Sequence, residues 1–352
     1  MQENQLRTKI IDWNYLTGMF KAEGFDCLGW LDWPLEGELE EDRLHREEVL
    51  GAGRPAPPSL AWIESHRNLK YRPDRVLKGA RGVLVTGLGY YREDEIDLNP
   101  TGRRGLGRVA RYARGRDYHK ELGGRLRRIT RKLVNLLPGH SFKAFTDTGP
   151  LDEVWLVEIS GLGFKGRNGL AILRDFGSWV LLGHIVTTYA FGGETGRTGD
   201  LTGCPLECRR CIDACPNGAL SASGPFDVTR CISYMTIEHK GALEYEEALG
   251  DRIFGCDVCQ DICPFNREIA ETEVEAFRRD IAGATLSLAL AAGISSYEQM
   301  IERFAGSVLM RAGPVNLARN ARAVAANFER RRGKDSRNGR YPEADSNGWP
   351  TA

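Results

Sequence analysis

Eight of the nine cysteines in this 352-residue chain fall between positions 204 and 263. The first run reads Cys204-x3-Cys208-x2-Cys211-x3-Cys215-Pro216; the second reads Cys256-x2-Cys259-x3-Cys263-Pro264, with Cys231 upstream. Thiolates are soft ligands that suit zinc and iron–sulfur chemistry. Two runs that each end Cys-x2-Cys-x3-Cys-Pro match the two-cluster bacterial ferredoxin pattern, in which the cysteine before proline reaches across to the other cluster. That crossing assigns Cys204, Cys208, Cys211 and Cys263 to one [4Fe-4S] cubane, and Cys231, Cys256, Cys259 and Cys215 to another. Two structural zinc sites are the competing reading, because sets of four cysteines also bind zinc. Zinc ribbons usually present pairs of Cys-x2-Cys, so the spacing favours iron. An odd cysteine count in a long chain argues against a disulfide framework. Cys27, alone in "GFDCLGW", reads as a small buried hydrophobe. Paired clusters move single electrons and do not choose a substrate, so the acceptor must lie elsewhere in the chain.

Other motifs carry weaker chemistry. "GLGFKG" (161–166) formally matches G-x-G-x-x-G, but Asp175 is too near to be the acidic partner and no helix opens at Gly166, so a tight turn is expected. "DYHKELG" almost spells the Asp-x-His-x-x-Gly signature of cobalt-ligating proteins. Its glycine falls one place late, which leaves His119 as a helix-start residue. Asp147 in "DTGP" has a turn-stabilising use through local hydrogen bonds. Residues 101–132 carry twelve Lys and Arg against Asp117 and Glu121. This is either a solvated helix face or a phosphate-binding surface. Tyr112 and Tyr118 lie within it and are candidates for stacking on unpaired bases.

The elements that position these residues follow from periodicity. Leu122, Leu126, Ile129, Leu133 and Leu136 recur at spacings of four and three, which predicts an amphipathic helix over 118–137 with Arg125, Arg128 and Lys132 off its apolar stripe. "GVLVTGLGYY" (82–91) predicts a buried strand, and "EVWLVEIS" (153–160) alternates as a strand does. "GSWVLLGHIVTTYAF" (177–191) fits either type. Residues 1–24 read as a helix, the acidic and Gly/Pro-rich 34–60 as an exposed excursion, and 307–328 as a helical pair. The sequence after 330 lacks a hydrophobic period and reads as a disordered tail. Hydrophobic content of 41% and charged content of 27% are those of an ordinary globular chain. With no run of 18 apolar residues and no apolar core in "MQENQLRTKIIDWNYL", neither a membrane span nor a signal peptide is expected.

Six stretches together resemble the epoxyqueuosine reductase family: "ARYARGRDYHKEL" (110–122), "AFTDTGPLDE" (144–153), "GLGFKGRNGLAI" (161–172), "GSWVLLG" (177–183), "CISYMTIEHKGAL" (231–243) and "GDRIFGCDVCQDICPFN" (250–266). The resemblance covers about residues 65 to 328. It implies a cobalamin-binding domain joined to a ferredoxin-like module, and reduction of the epoxide of epoxyqueuosine at the tRNA wobble position, the last step of queuosine synthesis. By motif, Asp147 matches the family's proton donor. A carboxyl shielded beside a corrinoid would have its pKa raised. Lys70, Asp147, Ala171, Ser233, Cys256 and Asp257 match cobalamin-facing positions, and Lys240 falls on a tRNA-facing surface. The chain departs from the family in three places. Three residues instead of two separate Cys204 from Cys208, which predicts a bulge there. His184 stands where the family's pattern has Glu, and the C-terminal region is short.

The combined expectation is an α+β protein: an N-terminal α/β cobalamin-binding domain (1–195), a ferredoxin-like module with two [4Fe-4S] clusters (196–270), a short C-terminal helical region (271–330) and a disordered tail (331–352). The expected activity is a cytoplasmic, monomeric oxidoreductase that acts on a tRNA anticodon stem-loop and draws on an external low-potential electron donor. A paralogue reducing a small molecule, and a non-catalytic electron carrier, are the alternatives.

Overall fold

The computed structural model describes residues 11–52, 56–93, 105–192, 203–222 and 225–338. Two compact units exchange the chain repeatedly. The first comprises Met1–Tyr91, Tyr118–Cys211 and Gln260–Ala276; the second comprises Arg92–Asp117, Ile212–Cys259 and Phe277–Ala352. These units are drawn differently from the contiguous extents expected of the sequence, because the segment carrying Cys263 returns to the unit that holds Cys204.

In the first unit four antiparallel strands form a sheet in the order β1–β2–β7–β4: β1 Cys27–Asp32, β2 Gly82–Gly89, β7 Val180–Thr187 and β4 Phe142–Thr146. Every residue of β2 is buried, as its unbroken apolar run requires of a central strand. The expected helix forms over Tyr118–Leu136, with Leu122, Leu126, Ile129 and Leu133 fully buried. It packs on β4 and β7. Gly183 permits that approach, since a Cβ there would fall 2.9 Å from Leu126 Cδ1.

Three expectations change. Glu153–Ile159 is a helix, not a strand. Asp152 caps it by accepting the N–H of Trp155 at 3.0 Å, and Trp155, Leu156, Val157 and Ile159 are all buried, so alternation says nothing about its period. The excursion at 34–60 contains the helix Gly37–Ala52. Its acids are interleaved with arginines at helical spacing: Arg43 pairs with Glu40 and Glu47, and Arg46 with Asp42. The first helix is Trp13–Ala22; residues 1–10 lie outside the described residues. "GLGFKG" falls in a hairpin of β5 Gly163–Lys165 and β6 Ala171–Leu173, closed by the Gly166 N–H to the Leu170 carbonyl at 2.8 Å.

The second unit holds a three-stranded sheet in the order β8–β3–β9: β8 Arg252–Phe254, β3 Leu106–Val109 and β9 Thr285–Ser287. β3 runs parallel to β8 and antiparallel to β9. The expected helical pair is a 3-10 turn, Val308–Arg311, followed by one helix, Gly313–Asn338. That helix continues eight residues past the expected start of the tail; 339–352 lie outside the described residues. It is tied in by polar side chains that satisfy buried carbonyls. Asn320 Nδ2 donates to Thr236 and Ile253, and Asn327 Nδ2 to Glu246 and Gly250.

Candidate active site and thiol clusters

Asp147 occupies the turn that leaves β4. Its φ of 48° is left-handed, a conformation that Asp tolerates better than most residues. Two long-range contacts hold it there. Its backbone N–H donates to Glu153 Oε1 at 3.0 Å, and its Oδ2 shares a hydrogen bond of 2.8 Å with His119 Nε2. His119 opens the long helix, and its ring stacks on that of Tyr118 with centroids 4.0 Å apart. Below the loop lies fully buried His184, stacked on Phe145. Its Nδ1 is 3.4 Å from Glu153 Oε1, close but without hydrogen-bond alignment. Burial raises the pKa of Glu153 above its ordinary value, and His184 opposes the shift. Asp147 itself stays 41% exposed. Its chain neighbours Thr146 and Thr148 and its partner His119 line a cavity of about 380 Å³, together with Leu126, Arg127 and Phe145. A partly exposed carboxyl backed by an imidazole, its chain neighbours lining such a cavity, can pass a proton to a bound substrate.

The sequence reading took His119 only as a helix start. Nothing local marks its pairing with Asp147, twenty-eight residues on, because the contact exists only once β4 lies beside the helix. The Lys70 carbonyl accepts the Asp152 N–H at 2.9 Å, five residues along the chain from Asp147. Ala171 is buried in β6 opposite Lys165.

The thiols separate into two sets. Cys204, Cys208, Cys211 and Cys263 line one small cavity in the first unit. Burial and the neighbouring thiols raise the pKa of Cys211, and burial raises that of Cys263. The extra residue between Cys204 and Cys208 is absorbed outward: Leu206 is 86% exposed, and its carbonyl accepts from Arg167 Nη2. Cys204 therefore keeps its place beside Cys208. Cys215, Cys231, Cys256 and Cys259 all belong to the second unit. Cys231 is close enough to Cys215 and to Cys256 for each thiol to disfavour ionisation of the next. Cys231 stands at the N-cap position of the helix Ile232–Ile237; burial raises the pKa of its thiol, and the N–H groups of Ser233 and Tyr234 and the Ser233 side chain partly offset that shift. Burial pushes Cys256 up to about 11. No group of three or more His, Cys, Asp or Glu among the described residues is placed to hold a single metal ion. A zinc site would need its sulfurs within about 2.3 Å of one centre. Cys27 packs half-buried against the core of the first unit, its thiol pushed up to about 12 by burial.

Asp257 is buried, and its Oδ2 accepts from the Arg111 backbone at 2.9 Å and lies 3.4 Å from Arg111 Nη1. Lys240 is exposed in the loop after Ile232–Ile237. Arg319 pins that loop by donating to the carbonyls of Met235, His239 and Gly241.

The basic stretch divides by use. Arg111 and Arg114 are buried and bind backbone carbonyls. Arg125 pairs with Glu121, while Arg128 and Lys132 both clasp Glu23 at 2.7 Å. Arg127 and Arg131 are exposed and, among the described residues, pair with no carboxylate. Tyr112 packs against Phe254. Arg103 and Arg104 lie outside the described residues. No helix among the described residues is long and apolar enough to cross a membrane.

Comparison with known proteins converges on one family. Residues 204–266 match the 4Fe-4S double cluster binding domain, and residues 70–148 match "Epoxyqueuosine reductase QueG, DUF1730". The epoxyqueuosine reductase of Xanthomonas campestris pv. campestris is 35% identical over 290 residues, covering 80% of this chain and 79% of that one. Among solved structures, an epoxyqueuosine reductase bound to an epoxyqueuosine-modified tRNA stem loop superposes with a TM-score of 0.76 at 26% identity, covering 90% of this chain and 81% of the other. The Bacillus subtilis enzyme, in a form with its catalytic aspartate loop swung out of the active site, gives a TM-score of 0.73 at the same identity and coverage.

Proposed function

The chain belongs to the epoxyqueuosine reductase family, and from that premise we propose how its own residues reduce epoxyqueuosine to queuosine in tRNA. Converting an epoxide to an alkene takes two electrons and two protons and releases the oxygen as water. Negative charge builds on that oxygen as it leaves carbon, and an acid within hydrogen-bond reach relieves it. Asp147 is that acid. The observation that carries this role is its loop, where the carboxyl is aligned by His119, fixed through its backbone by Glu153, and flanked by Thr146 and Thr148 of the cavity lining. His119 orients the carboxyl and is the nearest group able to return a proton to it.

The thiols fit two [4Fe-4S] clusters with crossed ligands, Cys204, Cys208, Cys211 and Cys263 for one and Cys215, Cys231, Cys256 and Cys259 for the other. The cavity shared by the first four supports the first set. For cobalamin, Leu126, Ala144 and Phe145 of the cavity lining offer apolar contact to a flat ring system, and His119 is committed to Asp147 rather than offered to cobalt. Lys70, Asp147 and Ala171, all in the first unit, are the residues proposed to contact it. When bound, these groups supply single electrons from an external low-potential donor and a reduced metal centre for the carbon of the epoxide. The chain's own contribution is to position the nucleoside, exclude water and deliver the proton.

One solved relative holds a tRNA stem loop. In this chain Arg127 and Arg131, which line one surface cavity and pair with no carboxylate among the described residues, are the proposed contacts to an anticodon stem-loop. The test is single turnover by anaerobically purified protein on an epoxyqueuosine-bearing stem loop. Asp147→Asn keeps the backbone and loses the acid, so turnover should fall about 10²- to 10⁴-fold while iron content and RNA affinity hold. Full turnover in that variant, or normal queuosine in tRNA from a strain lacking the gene, would overturn the proposal.

A further inference from the structure

Asn168 lies in the turn of the β5–β6 hairpin and is 8% exposed. Its Oδ1 accepts the backbone N–H of Leu170 at 3.2 Å, an Asx-type turn. That contact fixes which end of the carboxamide is oxygen, because an NH2 group cannot accept from an N–H. The other end, Nδ2, is removed from solvent and finds no acceptor among the described residues. Buried donors are nearly always paired in folded chains, so this one asks for a partner. Asn168 lines the same cavity as Cys204, Cys208, Cys211 and Cys263. Its placement is tightly determined: a Cβ on Gly166 would fall 2.6 Å from Asn168 Oδ1 and 2.6 Å from Ile172 Cδ1. The turn accounts for Oδ1 and leaves Nδ2 unexplained.

A cluster held by four thiolates is rich in sulfur acceptors and becomes more negative on reduction. Hydrogen bonds to its sulfurs stabilise the reduced form and raise its potential. We infer that Asn168 donates through Nδ2 to a sulfur of the cluster held by Cys204, Cys208, Cys211 and Cys263, and sets that cluster's potential above the value it would otherwise take. The inference rests on the cluster assignment proposed above. Asn168 is in this sense a tuning residue, acting through the cluster.

Anaerobic redox titration of the full-length protein, followed by electron paramagnetic resonance, reads the two cluster potentials separately. Asn168→Asp keeps the acceptor for Leu170 and removes the donor; Asn168→Leu removes the donor without adding charge. Both should lower one midpoint potential and leave the other in place, with iron content unchanged. In wild-type protein carrying nitrogen-15-labelled asparagine side chains, the reduced cluster should show a hyperfine coupling to that nitrogen, lost in both variants. An unmoved potential in Asn168→Leu, a shift confined to Asn168→Asp, or a wild-type spectrum without the coupling overturns the proposal. If Asn168→Leu does not fold, the wild-type coupling and its loss in Asn168→Asp decide. Metal analysis keeps the two levels apart. Zinc, or no iron, at the four thiols removes the acceptor and the cluster assignment together, whereas full iron with unmoved potentials removes only the role of Asn168.

Discussion

Glu153 connects the acid site to the stability of its loop. Its Oε1 accepts the Asp147 N–H, and its carboxyl is held in a buried position beside His184, 17% exposed. Burial is the leading cause of its raised pKa, so the folded chain binds the Glu153 proton more tightly than the unfolded chain does. The contribution to stability is therefore fully present below the unfolded value, near 4.5, and is lost as pH rises through the higher folded value. Glu153→Gln keeps an oxygen for Asp147 and removes the titration. Its thermal midpoint should gain on that of the wild type as pH is raised from about 4 to about 8, by differential scanning calorimetry. Parallel midpoints across that range would show that burial of this carboxyl costs nothing. At Asp147 itself the left-handed φ stores about 1–3 kcal/mol of strain of the kind that gathers at working sites.

The helix Tyr118–Leu136 does three jobs with three faces. Leu122, Leu126, Ile129 and Leu133 face the sheet, and Gly183 lets the backbone come close. Arg125, Arg128 and Lys132 are engaged by Glu23 and Glu121, which fastens the helix to the end of Trp13–Ala22. Arg127 and Arg131, four residues apart, pair with no carboxylate among the described residues and are the proposed contacts to RNA. Replacing both with Gln should lower RNA affinity and reduce the slope of log affinity against log salt by about 1.5, measured by fluorescence anisotropy of a labelled stem loop. Arg128→Gln with Lys132→Gln should instead lower thermal stability and leave the salt slope in place. If the two pairs change the slope equally, the division of the helix into structural and RNA-binding cations is wrong.

The two units of the whole molecule each gather four of the eight clustered thiols. Cys263 returns to the unit of Cys204, Cys208 and Cys211, while Cys215 leaves with Cys231, Cys256 and Cys259. The proposed crossed ligation makes a specific statement about loss. Cys263→Ser should reduce iron from about eight to about four per chain and spare the cluster of Cys231, although its nearest sequence neighbours are Cys256 and Cys259. Cys215→Ser should do the converse. Iron analysis with resonance Raman spectra of the survivor distinguishes the two; loss of the Cys256 cluster from Cys263→Ser would return the ligands to sequence order.

Cysteine spacing, the apolar period of 118–137 and the unbroken run of 82–89 determined by themselves the thiol chemistry, the long helix and the central strand. These are local patterns, and local geometry decides them. The "DTGP" turn was equally readable, and so was the bulge after Cys204. Glu153–Ile159 was not: Trp155, Leu156 and Val157 are consecutive and all buried, and two glutamates five residues apart give no polar face from which to read a period. Nor could the sequence reveal that His119 meets Asp147, that Glu23 takes up half of the helix's cations, or that Asn168 shares a cavity with four thiols. Each of those depends on which segments the sheet and hairpin bring side by side, and pairings across tens of residues are set by packing rather than by neighbours in the chain.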